Sequence, residues 1–329
     1  MINLRCGLMA VVVVGWTWHA FPLGGAQAEA SALGADACLE LFVHDEQGRP
    51  IPGARVEYSF WLVDRQHTVS NSATTDAEGR CLAKGRCSAD VHVSVSCDGY
   101  YGSRIERYMR DFAQGAAVVE GKWQPYGARL PILLRKRMDP VSLERHYVHH
   151  GSIPATNVWI GFDMVAERFV APYGAGAIAD FEILFTWDGG TRRNYRGAEL
   201  SLRFPPPSGG YWFDKVIESE FKGARFADTN ATYRTGFVFF ERKVGMEWKE
   251  NLFPQERELV VRTRCTENED GTLMEASYGM VSMIKFGWGN GGKGDFRIGY
   301  VRNPTPNDTN LESDRVIRAM RDAESKMTW

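Results

Sequence analysis

Three histidines within five residues form the densest group of potential ligands in this chain, at His146, His149 and His150. On a helix, imidazoles at positions i, i+3 and i+4 share one face and can bind a metal ion. The segment has no glutamate in the place that the H-E-x-x-H zinc motif requires. Pro140 and Pro154 flank it and disfavour a helix. We therefore expect a solvated linker and no metal site.

A second group, near the C-terminus, is rich in side-chain oxygen atoms. It comprises residues 307–310, with the sequence Asn-Asp-Thr-Asn, followed by Glu312 and Asp314. Oxygen ligands of this kind suit Ca²⁺. The order of residues is not that of an EF-hand loop, and Asn, Asp and Pro also form turns and helix caps. We expect a cap for a helix over 311–326, with no metal and no cofactor.

Catalytic motifs are absent from the sequence. It has no G-x-S-x-G nucleophile elbow, and no histidine lies after residue 153, so the larger part of the chain lacks the commonest general base. A glycosidase would use two carboxylates instead. The acids considered for that role are spread without a distinctive spacing: Asp163, Glu182, Asp188, Glu199, Asp214 and Glu218. We assign no catalytic residue.

Aromatic residues are the more suggestive class in the second half of the chain. Trp212 and Tyr211 follow the Pro- and Gly-rich segment 205–210, and Trp187 precedes a turn at 188–190. Exposed aromatic rings can stack on the apolar faces of sugars, whereas buried rings contribute large packing areas to cores. We take Trp212, Tyr211 and Trp187 as candidate ligand-binding residues, with core packing as the alternative.

The N-terminus has the pattern of a cleavable export signal. Arg5 precedes an apolar run over 8–18, and Ala26-Gln27-Ala28 matches the A-x-A cleavage site, so we predict a signal peptide over 1–28 with cleavage after Ala28. The run is shorter than the roughly 20 residues of a membrane span. We expect an exported protein, periplasmic or at the cell surface or secreted, with no transmembrane segment in the mature chain.

The charge balance excludes two classes of partner. The 39 basic and 41 acidic residues give a net charge of −2, and loss of Arg5 with the signal changes this to 38 minus 41, or −3. A near-neutral chain has no electrostatic attraction for nucleic acid or anionic lipid. Protein or glycan partners at the cell envelope remain.

Five cysteines follow the predicted signal. Four of them, Cys38, Cys81, Cys87 and Cys97, are candidates for disulfides in an oxidising compartment, and Cys265 would be left over. Cys81 and Cys87 flank a short Gly-containing segment that could be a hairpin, and Cys38 could then pair with Cys97. Fifteen arrangements of two bridges exist, and buried free thiols are the alternative. No spacing indicates zinc.

Alternating apolar residues predict short strands from about residue 36 onwards, separated by Gly, Asp and Pro turns. Residues 43–56 read Val-x-Asp-x-x-Gly-x-Pro-Ile-x-Gly-Ala-x-Val, and Thr75-Asp76-x-x-Gly79 and Gly99-Tyr100 follow. These pieces resemble the carboxypeptidase regulatory-like, or transthyretin-like, domain family. The resemblance implies a β-sandwich over 36–136 and a spacer, adhesive or stabilising role, without catalytic residues.

A polar segment over 137–153 is expected to be a linker to a second domain over 154–329. That domain is also rich in predicted strands, for example at 181–187 and 273–278. The motifs at 171–174 and 303–312 resemble uncharacterised exported proteins of bacteria, which implies no known activity. We expect a second antiparallel β-sandwich or barrel-like domain with a short C-terminal helix.

The sequence thus predicts an all-β exported protein. Its leading functional hypothesis is a non-catalytic binding or structural protein of the bacterial cell envelope. The alternative hypothesis is an envelope carbohydrate-active hydrolase that uses paired carboxylates in the second domain.

Overall fold

The computed structural model describes residues 34–62, 70–113, 117–188, 195–207, 209–254, 256–288 and 294–313. The described residues form strands and loops, with a single 3₁₀ turn at Met109–Phe112. This confirms the predicted all-β class. No helix in the described part of the chain has the length and apolarity to cross a membrane.

Eleven strands build the N-terminal domain. They are β1 (Ala35–His44), β2 (Arg55–Phe60), β3 (Ser70–Thr74), β4 (Arg80–Cys87), β5 (Asp90–Ser96), β6 (Tyr100–Tyr101), β7 (Ser103–Tyr108), β8 (Val118–Val119), β9 (Lys122–Trp123), β10 (Ala128–Leu133) and β11 (Arg135–Lys136). One large sheet has the order β10-β1-β9-β8, with β4 also paired to β1, and the other has the order β3-β2-β5-β7. Strands β6 and β11 pair separately as a two-stranded sheet.

The period-2 pattern of the sequence sets the inner faces of these two sheets. Leu39, Leu41 and Val43 of β1 are fully buried, and every second residue of β5, starting at Val91, is buried too. Both sets belong to one hydrophobic core, which makes the domain a β-sandwich. The turn after β1 is closed by Asp45, whose carboxylate accepts hydrogen bonds from the backbone N–H groups of Gln47 and Arg49.

Eleven further strands build the C-terminal part. They are β12 (Glu144–His150), β13 (Trp159–Asp163), β14 (Arg168–Phe169), β15 (Phe181–Asp188), β16 (Gly197–Arg203), β17 (Gly210–Lys215), β18 (Gly236–Val244), β19 (Glu247–Asn251), β20 (Arg257–Glu267), β21 (Leu273–Trp288) and β22 (Gly294–Arg302). Their sheets have the orders β14-β13-β15-β16-β18-β19 and β12-β22-β21-β20-β17.

These two sheets enclose an aromatic-rich core to which both contribute, for example Phe162 and Phe185 from one and Phe296 and Tyr300 from the other. The β12-β22-β21-β20-β17 sheet is buried on its opposite face as well. On that face Val260 packs beneath loops formed by residues 224–227 and 303–311. Its neighbours in the strand, Leu259 and Val261, face the first core. Burial on both faces explains the unbroken apolar run of β20.

The predicted linker over 137–153 is wrong in its second half. Residues Glu144–His150 form β12, which pairs antiparallel with β22 along its whole length. The error arose because charged and histidine side chains interrupt the apolar pattern on this edge strand. The predicted helix over 311–326 lies mostly outside the described residues, as does the predicted signal with Ala28. Residues 311–313, at the start of the predicted helix, are not helical, and Ser313 forms an isolated β-bridge with Val141.

The two domains meet through a network of buried polar contacts. Glu312 is wholly buried, forms an ion pair with Arg225 and accepts hydrogen bonds from the backbone N–H groups of Met138 (2.9 Å) and Asp139 (3.3 Å). Arg225 also reaches Glu46 of the N-terminal domain, at 3.2 Å. The segment after the first sandwich is therefore held on both sides.

A second arm of this junction centres on Arg135. Its guanidinium pairs with Glu46 at 2.9 Å, donates to the carbonyl oxygens of Phe221 and Gly223, and stacks over the Phe221 ring at 4.2 Å. Tyr101 packs on the same ring and donates its hydroxyl to the carbonyl oxygen of Ser313. Because the charged groups satisfy one another, burial does not leave them unpaired.

The cysteines do not form the predicted bridges. Cys81 and Cys87 stand near opposite ends of the continuous strand β4, about 20 Å apart at roughly 3.3 Å per residue, far beyond the ~7 Å that a disulfide spans. Cys38 lies on β1, and Cys97 follows β5 in the other sheet. These four and Cys265 are free thiols. The Gly85 that suggested a hairpin instead accommodates the Phe60 ring.

We predict that Glu312→Ala destabilises the protein by about 3–5 kcal/mol, since it removes the buried ion pair with Arg225, which keeps only Glu46 as a charge partner, and leaves the backbone N–H groups of Met138 and Asp139 without their acceptor. Urea unfolding monitored by tryptophan fluorescence measures this loss. Glu78→Ala is the matched control, because Glu78 pairs with Arg80 at 3.5 Å on an exposed turn and is worth at most about 1 kcal/mol. Equal losses in the two variants would contradict the importance of the junction.

Burial suppresses the reactivity of two of these thiols, Cys87 and Cys265. It raises the pKa of Cys87 to about 12 and that of Cys265 to about 11. Because the thiolate is the reactive species, we expect iodoacetamide at pH 8 to leave both unmodified in the native protein and to label both in denaturant. Peptide mass spectrometry under non-reducing conditions reads this out. Disulfide-linked peptides would overturn the expectation.

Candidate functional site

The outer face of the β3-β2-β5-β7 sheet is a continuous polar surface. Strand pairing places Ser70, Ser59, His92 and Glu106 in one row across the four strands. The next row consists of Ser72, Glu57, Ser94 and Arg104. Short hydroxyl side chains thus alternate with longer charged ones, and the face offers hydrogen-bond donors and acceptors without a bulky apolar residue in these two rows.

A groove of about 790 Å³ opens at the end of this face, where the N-terminal domain meets the second domain. The sheet contributes Arg55, Glu57 and Ser94, and the second domain contributes Glu220. The remaining boundary consists of the chain at 95–100 with Gly53, Gly102 and Arg137. A shallower depression of about 370 Å³ continues the groove across the sheet and shares Glu57 and Ser94 with it.

Contacts between the domains hold the groove in shape. The backbone N–H of Glu220 donates to the carbonyl oxygen of Gly102 (2.8 Å), and the Gly102 N–H donates to the Glu220 carboxylate (3.1 Å). A Cβ on residue 102 would lie 3.0 Å from that carboxylate, so glycine permits the close approach. Arg107 and Glu218 add an ion pair beside it. The groove is therefore preorganised.

The aromatic candidates from the sequence do not form a binding surface. Tyr211 is buried in the core against Phe204 and Phe237, and Trp212, on the opposite face of β17, packs against the other core. Trp187 belongs to the facing sheet and packs against the first core. Trp212 is partly buried, in line with the core-packing alternative, because residues 210–215 continue as strand β17 directly after the Pro-rich loop.

The histidine cluster is divided between two faces of β12. His146 and His150 point to one side, where His146 stacks on Tyr300 and bonds Glu167 at 2.8 Å, and His150 packs on Phe169. His149 lies on the other side, where its Nε2 atom is 2.9 Å from a carboxylate oxygen of Asp295. Burial lowers the pKa of His150, which favours the neutral ring. A strand separates side chains that a helix would have brought together.

The oxygen-rich segment near the C-terminus is a structural network. Asn303 donates from its amide to the carbonyl oxygen of Asn310, and Asn310 donates from its own amide to the carbonyl oxygen of Asp139. Asp308 accepts a hydrogen bond from the Asn310 backbone. These oxygens and those of Glu312 close turns and join the two parts of the chain.

One pair of neighbouring carboxylates in the second domain is structural. Asp163 and Asp180 both bind the guanidinium of Arg264, at 2.7 and 2.9 Å. Burial alone would raise the pKa of Asp163, but backbone N–H groups of residues 166, 177 and 178 and the Arg264 charge lower it. Carboxylates bonded in this way hold a fold together rather than transfer protons.

The second pair, Asp214 and Glu258, stands directly opposite across β17 and β20. Burial raises the pKa of Glu258 from 4.5 to about 7, and the Asp214 charge adds to this, whereas Lys222 and Arg135 oppose it. A carboxyl with a raised pKa beside a second carboxyl can serve in acid–base chemistry. However, the backbone of Gly223 packs directly against the Glu258 carboxyl group. A Cβ atom on residue 223 would lie only 1.9 Å from the Oε2 atom of Glu258. Neither groove described above reaches the pair.

We predict that Glu258→Gln removes part of the pH dependence of stability. The pKa of Glu258 is higher in the folded state, so its ionisation destabilises the fold as pH rises from 4.5 to 7. At about 1.4 kcal/mol per pH unit, the wild type should lose about 3 kcal/mol more than the variant between pH 4.5 and pH 8. Urea titrations at both pH values measure this. The exposed Glu250→Gln is the control and should behave as wild type.

A scan against protein-family models gives no match, and a search of curated proteins gives none. Among solved structures, 3-chlorocatechol 1,2-dioxygenase from Rhodococcus opacus 1CP aligns with 32% of this chain and 60% of its own, at 13% identity and a TM-score of 0.26. Wild-type catechol 1,2-dioxygenase from Acinetobacter radioresistens aligns with 34% and 55%, at 16% identity and a TM-score of 0.25.

A third alignment covers more of the chain. A point mutant of the shaft pilin SpaA from Lactobacillus rhamnosus GG aligns with 54% of this chain and 90% of its own, at 7% identity and a TM-score of 0.23. Against the two dioxygenases, the chain spans less than two thirds of their length. Values this low support no inference about activity, so the candidate site is judged on its own geometry.

Proposed function

We propose that this chain is an exported, non-catalytic binding protein of the bacterial cell envelope, whose ligand is a glycan held in the groove between the two domains. The preorganised groove is the observation that carries the proposal. It is open to solvent, about 790 Å³ in volume, and lined by hydroxyl and charged groups. Such groups recognise a ligand rich in hydroxyls through hydrogen bonds.

Export rests on the signal pattern at the N-terminus, and the transthyretin-like character of residues 36–136 rests on their motifs. The sandwich observed over this region is compatible with that family and with the spacer or adhesive role that the resemblance implies. In this proposal the second domain acts as a partner that completes the groove with Glu220 and fixes its shape.

The proposal predicts that the affinity for the glycan depends on the side chains of Arg55 and Glu57. These exposed side chains lie on the groove face of β2 and pair at 2.7 Å. A glycan array on purified residues 29–329 should give specific hits, and the double variant Arg55→Ala/Glu57→Ala should weaken them at least tenfold by isothermal titration calorimetry. The control is Glu247→Ala/Lys249→Ala on the exposed edge strand β19, which removes two charges with the same spacing. Equal binding by both double variants would contradict the assignment of the groove.

The hydrolase hypothesis remains the second candidate because of the Asp214–Glu258 pair and the raised pKa of Glu258. It requires an opening beside Gly223. Release of reducing sugar from any array hit tests it, with Glu258→Gln as the diagnostic variant. Turnover that this variant abolishes would favour the hydrolase, and binding without release would favour the binding protein.

A further inference from the structure

We propose that Asp90, His92 and Glu106 form a binding site for a divalent transition-metal cation on the outer face of the β3-β2-β5-β7 sheet. The proposal does not depend on the glycan hypothesis. It rests on the placement of three metal-ligating side chains and on a buried oxygen atom that lacks a partner.

The three side chains converge because of strand geometry. Asp90 and His92 are two residues apart on β5 and so share one face, and Glu106 of β7 is the direct partner of His92 in the ladder. One ligating atom from each residue lies within 4.8 Å of the others, and His92 Nδ1 is 3.9 Å from Glu106 Oε2. Among the described residues this is the one group of three or more such side chains with that convergence.

Asp90 supplies the independent observation. Its Oδ1 atom is buried and accepts no hydrogen bond from the described residues. Burial raises the pKa of Asp90, the Glu106 charge raises it further, and His92 and Arg110 act in the opposite direction. An unpartnered buried carboxylate oxygen is costly, and a bound cation would supply the missing partner.

The alternative is that His92 and Glu106 form an ordinary surface ion pair, and this explains fewer of the observations. His92 and Glu106 are about half exposed, and an ion pair of that kind contributes little to stability. It also leaves the Asp90 oxygen unexplained. Arg110, the cation that acts on Asp90, has its own partners, since its guanidinium stacks over the Tyr108 ring at 4.8 Å.

The donor set decides the class of metal. One imidazole and two carboxylates suit Zn²⁺ or Mn²⁺, and thiolate ligands are absent from the group. Ligand atoms about 2.0–2.1 Å from a tetrahedral zinc lie about 3.3 Å apart, so the group must contract by roughly 1 Å on binding. The exposed side chains of His92 and Glu106 can rotate to do this. Three protein ligands leave a position open to water or to a ligand.

Isothermal titration of the EDTA-treated, untagged protein with ZnCl₂ tests the proposal. We expect one site with a micromolar dissociation constant, weakened at least tenfold in His92→Ala and in Asp90→Asn. His149→Ala is the matched control, because it removes an imidazole paired with a single carboxylate and should bind as wild type. Circular dichroism in EDTA checks that each variant is folded, and Glu106→Gln replaces any variant that is not.

Spectroscopy distinguishes this site from adventitious zinc on thiols. Cys81 and Cys97 are partly exposed and are the competing ligands. X-ray absorption at the zinc edge should show nitrogen and oxygen neighbours, and Mn²⁺ should bind with the same stoichiometry by electron paramagnetic resonance. Sulfur neighbours, unchanged affinity in both His92→Ala and Asp90→Asn, or no binding by the wild type would each overturn the proposal. Loss of glycan binding alone would not, since the metal is titrated without glycan.

Discussion

The burial of Glu312 against Arg225 is the constraint on which the arrangement of the two domains depends. A carboxylate with no exposure to solvent needs a charge partner and hydrogen bonds, and Glu312 obtains both from distant parts of the chain. Arg225 extends the network to Glu46, and Glu46 extends it to Arg135. These buried charges compensate for one another's loss of hydration only when the two domains are in this arrangement, so the network favours this arrangement over others.

This fixed junction determines where the groove lies. The groove exists because the loop carrying Glu220 is held against Gly102 at the end of the N-terminal sheet. The same loop covers the outer face of the β12-β22-β21-β20-β17 sheet, so one segment serves the core and the junction together. Its closure over Glu258 also explains why that carboxyl group is buried while the polar groove is open.

The polar face shows how a β-sandwich places its core residues and its polar residues on opposite sides of one sheet. Residues facing inward on β2 and β5, such as Val56 and Val93, supply the apolar core, and their neighbours facing outward are free to vary. On this face the free positions carry hydroxyls, charges and the Asp90, His92 and Glu106 group. The groups able to form hydrogen bonds or to ligate a metal are thus side chains that the core does not need.

The sequence by itself determined the all-β class and many of the strands, because period-2 burial is a local property that Leu39, Leu41 and Val43 already display. Local patterns failed where long-range pairing overrides them, as in β12, which looked like a linker, and β4, which separates Cys81 from Cys87. Tertiary structure alone decided the site. His92 meets Glu106 only through strand pairing, and the groove needs a loop from another domain, so no spacing along the chain could reveal either.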